Sequence, residues 1–200
     1  FFLATGFDEA EFANRDEKAV SDRVATFDDE EFIFFRGRNV SESGISIIAQ
    51  CTWFTSSRIK FIIVTDDSRG AKFNPENTIL IEGFLSSTDI KYLYSRASIV
   101  IGQISNSKRL HNTIPHKAFE AAFFSKPYIT MHDSAVVNSF TPDSVFTLKV
   151  AAADSLATLI DQIALDSEER LSRSAKFKKI YSERYSQEIL RNAFSRFISL

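Results

Sequence analysis

Short, nearly continuous apolar runs alternate along this chain with longer stretches of helical periodicity. Glu31 to Phe35 (EFIFF) ends just before Gly37 and predicts a buried strand closed by a tight turn. Ser43-Gly44 opens Ile45 to Phe54, whose apolar positions fit a helix. Ile59 to Val64 (IKFIIV) is almost wholly apolar, as a parallel strand covered on both faces is. Thr78 to Ile81 reads as another strand, closed by Glu82-Gly83. Ser86, Ser87 or Thr88 caps a helix running to about Ala97, and Ser98 to Gly102 (SIVIG) is the next strand. Beyond a polar loop, Pro115 starts a helix through Phe124; Lys126-Pro127 breaks it, and Tyr128 to Met131 is again a strand. Val145 to Val150 reads as the last strand, and from about Ala152 the pattern is all helix. There Leu190, Ala193, Phe194 and Phe197 recur at i, i+3, i+4 and i+7, which predicts one buried face.

Strands alternating with helices at this spacing imply right-handed βαβ units. The fold class predicted is α/β: a doubly wound, Rossmann-like parallel sheet of about six strands with a helical C-terminal segment. Residues 1–30 are more acidic and less regular, with Glu17 to Val24 a short helix at most; they read as an entry segment to a domain spanning 31–200. In open α/β sheets a ligand lies outside the carboxyl ends of the strands. The loops that matter are therefore Arg36 to Gly44, Thr65 to Lys72, Gly83 to Ser87 and Gln103 to Pro115.

Composition narrows the classes of function. Apolar residues make up 44% and charged residues 25% of 200, so disordered, collagenous and coiled-coil chains are excluded. A net charge of −2 creates no global field for nucleic acid. Cys51 has no partner for an internal disulfide, and a cytoplasmic setting is expected. No apolar run approaches the ~18 residues that a spanning helix needs. The opening Phe1-Phe2-Leu3 carries neither Met nor a basic run, and is read as a piece cut from a longer protein without a signal peptide.

The loop Gln103 to Pro115 and the helix behind it hold the densest chemistry. Proline in the first turn leaves the amides of His116 and Lys117 pointing from a positive helix end, and Lys108, Arg109 and Lys117 add charge beside it. Such an end suits phosphate. Lys117, Glu120 and Phe124 share a helix face, so Glu120 sits about one turn below a phosphate bound there. The plainer alternative is a surface Lys117–Glu120 pair, stabilising the helix by ~0.2–0.5 kcal/mol. Asp66 and Asp67 read as a solvated turn with no metal, and His111, His116 and His132 lack triad partners. The basic stretch Arg170 to Arg184, interleaved with Phe177 and Tyr181, reads as a solvated helix face; peripheral contact with an anionic membrane surface is its alternative.

The stretch Ile114 to Thr130 (IPHKAFEAAFFSKPYIT) resembles the signature of nucleotide-sugar glycosyltransferases of the two-domain GT-B fold, within them the group-one, family-four retaining enzymes, whose pattern runs roughly IPNKxxEAxAxGKPxIT. Ala4 to Phe12 (ATGFDEAEF) is similar to the segment leading into their second domain. Phe34 to Ile45 (FFRGRNVSESGI) resembles that domain's first strand and turn, and Ile81 to Gly102 (IEGFLSSTDIKYLYSRASIVIG) the helix and strand before the donor site.

The resemblance implies that residues 31–200 form the C-terminal donor-binding domain, with the N-terminal acceptor domain outside this chain. It implies Glu120 as the second Glu of the family's Glu-x7-Glu motif, holding the ribose hydroxyls, and Arg38 as the pyrophosphate-binding Arg. Asn112 stands where the family has the first Glu, which contacts the donor sugar, and Ser43 where it has a partner Lys. Phe84 falls where a loop packs against the base; Lys108, His116 and Lys117 line the diphosphate, and either lysine stands in for the missing charge. The implied activity is hexosyltransferase-like: a sugar moves from a nucleoside diphosphate to an acceptor hydroxyl with retention. No cofactor is implied, since the nucleotide sugar is a substrate, and the isolated domain is expected to be inactive. The competing reading is a non-catalytic nucleotide-sugar-binding or assembly module, favoured by Asn112 and Ser43. An epimerase or phosphorylase on the same architecture needs catalytic residues that the sequence does not offer.

Overall fold

The computed structural model describes residues 31–198, with side chains to 195, together with Glu9 and Val24. The remainder of the entry segment, with the helix expected over Glu17 to Val24 and the Ala4 to Phe12 resemblance, lies outside the described residues.

Six strands form one parallel sheet: β1 (Phe32–Arg36), β2 (Lys60–Thr65), β3 (Thr78–Glu82), β4 (Ile99–Ile101), β5 (Tyr128–Met131) and β6 (Phe146–Leu148). Their order is β3-β2-β1-β4-β5-β6. The chain winds outward from β1 to β3, returns to place β4 on the other side of β1, and winds out again. The order therefore reverses between β1 and β4, and their carboxyl ends flank the crevice where such sheets hold ligands.

Alternation along each strand separates two apolar layers. Phe32, Phe34, Ile62, Val64, Val100 and Tyr128 face one side, while Ile33, Phe35, Phe61, Ile63, Ile99 and Ile129 face the other. The second side is covered by α1 (Ile45–Phe54) and α5 (Ala153–Leu165) through Ile45, Ile48, Leu156 and Ile160. The first is covered by α2 (Ser87–Arg96), α3 (His116–Phe123), α4 (Ala135–Phe140) and α6 (Ser167–Arg184). These are two faces of one sheet, and the doubly wound expectation holds.

Local chemistry sets the boundaries. The Ser86 hydroxyl accepts the Asp89 amide at 3.1 Å, and Asp89 returns to the Ser86 backbone, a reciprocal cap on α2. Gly44 turns the chain into α1 at φ +74°; a Cβ there would run into the carbonyl of Ile104 in the β4 loop. The loops after β1 and β4 thus meet backbone to backbone at the carboxyl edge.

Three details go beyond or depart from the sequence expectation. The short helix α4 follows β5 in a stretch to which the pattern assigned no element; Ser134 caps it through the Val137 amide. The C-terminal helical tail is three helices, because the Asp166 side chain caps α6 after α5 ends and Tyr185 leaves helical geometry before α7 (Gln187–Ile198). On α7 the face predicted to be buried is only partly covered: Leu190 is half-buried, Ala193 is exposed and Phe194 is 54% exposed, while the Phe197 side chain lies outside the described residues. Periodicity specifies an apolar stripe but not what covers it. Conversely, Phe177 and Tyr181 of the basic stretch point into the core, and the outer side of α6 is mainly charged, with Leu171 exposed among those charges.

Candidate active site at the crevice between β1 and β4

Because the sheet is parallel, the loops after β1, β2, β3 and β4 all emerge at its carboxyl edge, as the sequence reading requires. Pro115 sits at the N-cap of α3 in extended backbone (φ −71°, ψ 145°), and no side chain caps this helix end. The positive end of the helix is turned to the crevice, and Pro115 itself brings no side-chain oxygen to it.

One turn inward lies a buried charged cluster. Arg36 is the last residue of β1, and strand alternation puts it on the side of Phe34, the face covered by α2 and α3. Its Nη2 donates to both oxygens of Glu120, at 2.6 Å to Oε1 and 2.8 Å to Oε2. The Tyr94 hydroxyl of α2 donates to Oε2 at 2.6 Å. The Glu120 side chain is 7% exposed, whereas that of Arg36 is 34% exposed. Tyr94 is held rigidly, edge-on to Phe34 with ring centroids 5.0 Å apart and stacked on Phe124 at 5.8 Å. Burial, and then the neighbouring Glu120 carboxylate, push the Tyr94 hydroxyl well up, so it remains a donor at neutral pH. Burial works against the Arg36 charge, but Tyr94 and the Glu120 carboxylate outweigh it and hold the guanidinium protonated.

Lys117 lies beside this pair. Its Nζ is buried without a hydrogen-bond partner among the described residues, 4.4 Å from the centroid of the Phe35 ring. A Cβ on Gly37 would come within 3.3 Å of it, so the turn after β1 needs glycine partly to leave room for this amine. Burial first, and the Arg36 charge second, pull Lys117 down from 10.5 to about 7, although Glu120 opposes them. The surface Lys117–Glu120 pair is therefore not what forms: both residues are buried, and Glu120 takes Arg36 and Tyr94 instead.

The remaining residues singled out from sequence lie on the same edge but on its outside. Arg38 is exposed in the loop after β1, and Phe84 is 90% exposed in the loop after β3. Lys108 is exposed in a 3-10 turn (Lys108–His111) that Asn112 closes, also exposed, and His116 is the exposed first residue of α3. Ser43 is buried, its hydroxyl donating to the Val40 carbonyl at 2.7 Å. Asp66 accepts the Asn39 amide and Asp67 pairs with Arg69; among the described residues no group of three metal-ligating side chains gathers. The sequence reading passes over Arg36 and Tyr94. The signal available for Arg36 was a cation closing an apolar strand on its helix-covered face, where a buried charge must find a partner. A cavity of about 320 Å³ lies at the opposite, amino edge of the sheet, bordered by Arg96, Lys126 and Arg170.

No family model matches the chain, and no curated protein matches it in sequence. Solved structures do match in shape. Over 97% of this chain, the Anabaena protein HepE (Alr3699) in complex with UDP superposes with a TM-score of 0.74 at 14% identity. Sucrose-phosphate synthase of Thermosynechococcus elongatus gives 0.71 over 97% at 16% identity. The chain spans 56% and 50% of those two proteins, about half of each. The C-terminal domain of a group 1 glycosyltransferase (LpcC) from Francisella tularensis is matched over 94% of its own length and 85% of this chain, with a TM-score of 0.62 at 12% identity. About half of a longer protein in one comparison and nearly all of a C-terminal domain in the other describe the same object: this chain has the fold of the C-terminal domain of the GT-B glycosyltransferases.

Proposed function

We propose that this chain is the donor-binding half of a glycosyltransferase, which moves a sugar from a nucleoside diphosphate sugar to an acceptor hydroxyl with retention. The observation that carries the reading is the pairing of the α3 N-terminus, where Pro115 supplies no side-chain cap, with a buried Lys117 whose Nζ has no hydrogen-bond partner among the described residues and, one turn on, the buried carboxylate of Glu120. The diphosphate is assigned to the helix end, where Lys117 and the loop cations Arg38 and Lys108 supply countercharge, with His116 beside them. Glu120, five residues beyond Pro115 and so ~7.5 Å along the axis, is assigned to the ribose hydroxyls. Phe84, bare on the same edge, is assigned to the base, and Asn112 to the donor sugar. The departing diphosphate gains charge as the glycosidic bond breaks, and fixed positive groups favour that state over the bound substrate. The acceptor site and the rest of the reaction centre belong, in this reading, to the other half of the two-domain enzyme. The nucleotide sugar is a substrate, and no cofactor or metal is assigned. The solved neighbours support this reading, since HepE carries UDP and, in another crystal, UDP-glucose.

Asn112 and Ser43, in place of the carboxylate and the lysine that the family resemblance implies, favour a second reading: a module that binds nucleotide sugars without transferring them. Radiolabelled nucleotide sugars offered to the full-length protein separate the two. Transfer to an acceptor supports the enzyme; tight binding without transfer supports the module.

A further inference from the structure

The contacts of Arg36 bear on how the nucleotide is read, given the donor-site reading above. A carboxylate offers about four lone-pair positions. In Glu120 the Arg36 Nη2 spans both oxygens, at 2.6 and 2.8 Å, and Tyr94 takes a further position on Oε2 at 2.6 Å. A vicinal diol needs one position on each oxygen, on the side turned to the crevice. Arg36 already bonds both oxygens, and it stands at the carboxyl end of β1, the edge where the crevice lies. Guanidinium and diol therefore compete for one carboxylate. Tyr94 is fully buried between two aromatic rings, whereas the Arg36 side chain is 34% exposed at the open edge of the sheet. Arg36 is the partner free to leave. Its charge has somewhere to go, because the diphosphate assigned to the adjacent helix end is an anion with capacity for a second guanidinium.

We propose that Arg36 is an internal substitute for the ribose: it holds Glu120 in the empty domain, yields the carboxylate to the ribose diol on nucleotide binding, and so sets how strongly ribose is read. The hydrogen bonds gained by the ribose are offset by the ion pair that is given up. Arg36 is thus a positioning and specificity residue.

The test compares nucleoside diphosphates with dideoxy analogues lacking both ribose hydroxyls, by calorimetry on this chain. Uridine, guanosine and adenosine diphosphates are used as pairs. In the wild type, the pair that binds is expected to differ in affinity by no more than about threefold, since exchange nearly cancels. In Arg36→Ser the natural nucleotide alone tightens, and the ratio opens to roughly 10- to 150-fold, the range of one uncompensated hydrogen bond to a charged group. Adding Glu120→Ala to Arg36→Ser closes the ratio again. Arg36→Gln, a neutral donor of similar reach, gives a second readout where the loss of charge beside Glu120 impairs folding; it is expected to fall between the two. A nucleotide that binds with the same ratio in the wild type, Arg36→Ser and Arg36→Gln overturns this inference while leaving the donor site standing. If no nucleotide binds any variant, the donor site itself is wrong, and the inference falls with it.

Discussion

Burial draws the Lys117 amine into the neutral pH range, and the consequence for stability has a definite sign. The unfolded chain keeps this amine protonated up to about 10.5, whereas the folded one releases the proton near 7. Between those values the unfolded state binds more protons, so stability rises with pH through that window and is lowest at and below neutrality. Lys117→Met is expected to raise the melting temperature at pH 6–7 and to flatten the increase towards pH 10, as thermal melts across that range would show. A bound diphosphate would reverse the balance by stabilising the protonated amine. Nucleotide binding should therefore take up a proton near pH 7.5, read as a dependence of calorimetric heat on buffer ionisation enthalpy; Lys117→Met should lose that uptake while the phosphate's own titration persists. The sequence makes Lys117 and Glu120 visible as a helix-end cation and a carboxylate one turn on. It does not show that they avoid each other. Arg36 and Tyr94 lie 84 and 26 residues away from Glu120 along the chain, and only the sheet order and the packing of α2 on α3 bring them to it.

Among the elements, boundaries written in local chemistry were legible. The Ser86 cap, the Pro115 start and the Gly44 turn each depend on a residue type suited to one conformation, and Gly37 on the space that a missing side chain leaves. Gly44 makes the strongest claim of these, since it combines φ +74° with a backbone carbonyl where its Cβ would be. Gly44→Ala is expected to cost at least about 1–3 kcal/mol in denaturant unfolding, from the strained backbone alone. Ser86→Ala, which removes a cap but moves no backbone, should cost about 1 kcal/mol. Less was legible where an element depends on its surroundings. The six residues of α4 are too few for periodicity to distinguish from a loop. The tail's division into three helices rests on Asp166 capping a new helix within a stretch of uniformly good helix formers. On the α7 stripe Ala193 and Phe194 are exposed where burial was expected, whereas Leu190 is half-buried, because burial belongs to the partner surface and not to the stripe.

For the whole molecule, the arrangement gathers cations, a helix end and a carboxylate on one edge of the sheet, and leaves Val40 and Phe84 bare there at 46% and 90% exposure. An edge built in this way fits a cleft closed from above by another domain, as the half-length match to HepE and sucrose-phosphate synthase suggests for the reading proposed here. Sugar transfer is then expected only when both halves are present, whereas nucleotide binding is expected of this chain alone. Amide chemical-shift mapping during titration with uridine, guanosine and adenosine diphosphates tests that claim most directly. One nucleotide is predicted to shift Gly37, Gly102, His116 and Lys117 together, saturating at a single site on the carboxyl edge. Silence of these amides with all three nucleotides, or shifts confined to the amino-edge cavity around Arg96, Lys126 and Arg170, would contradict the account.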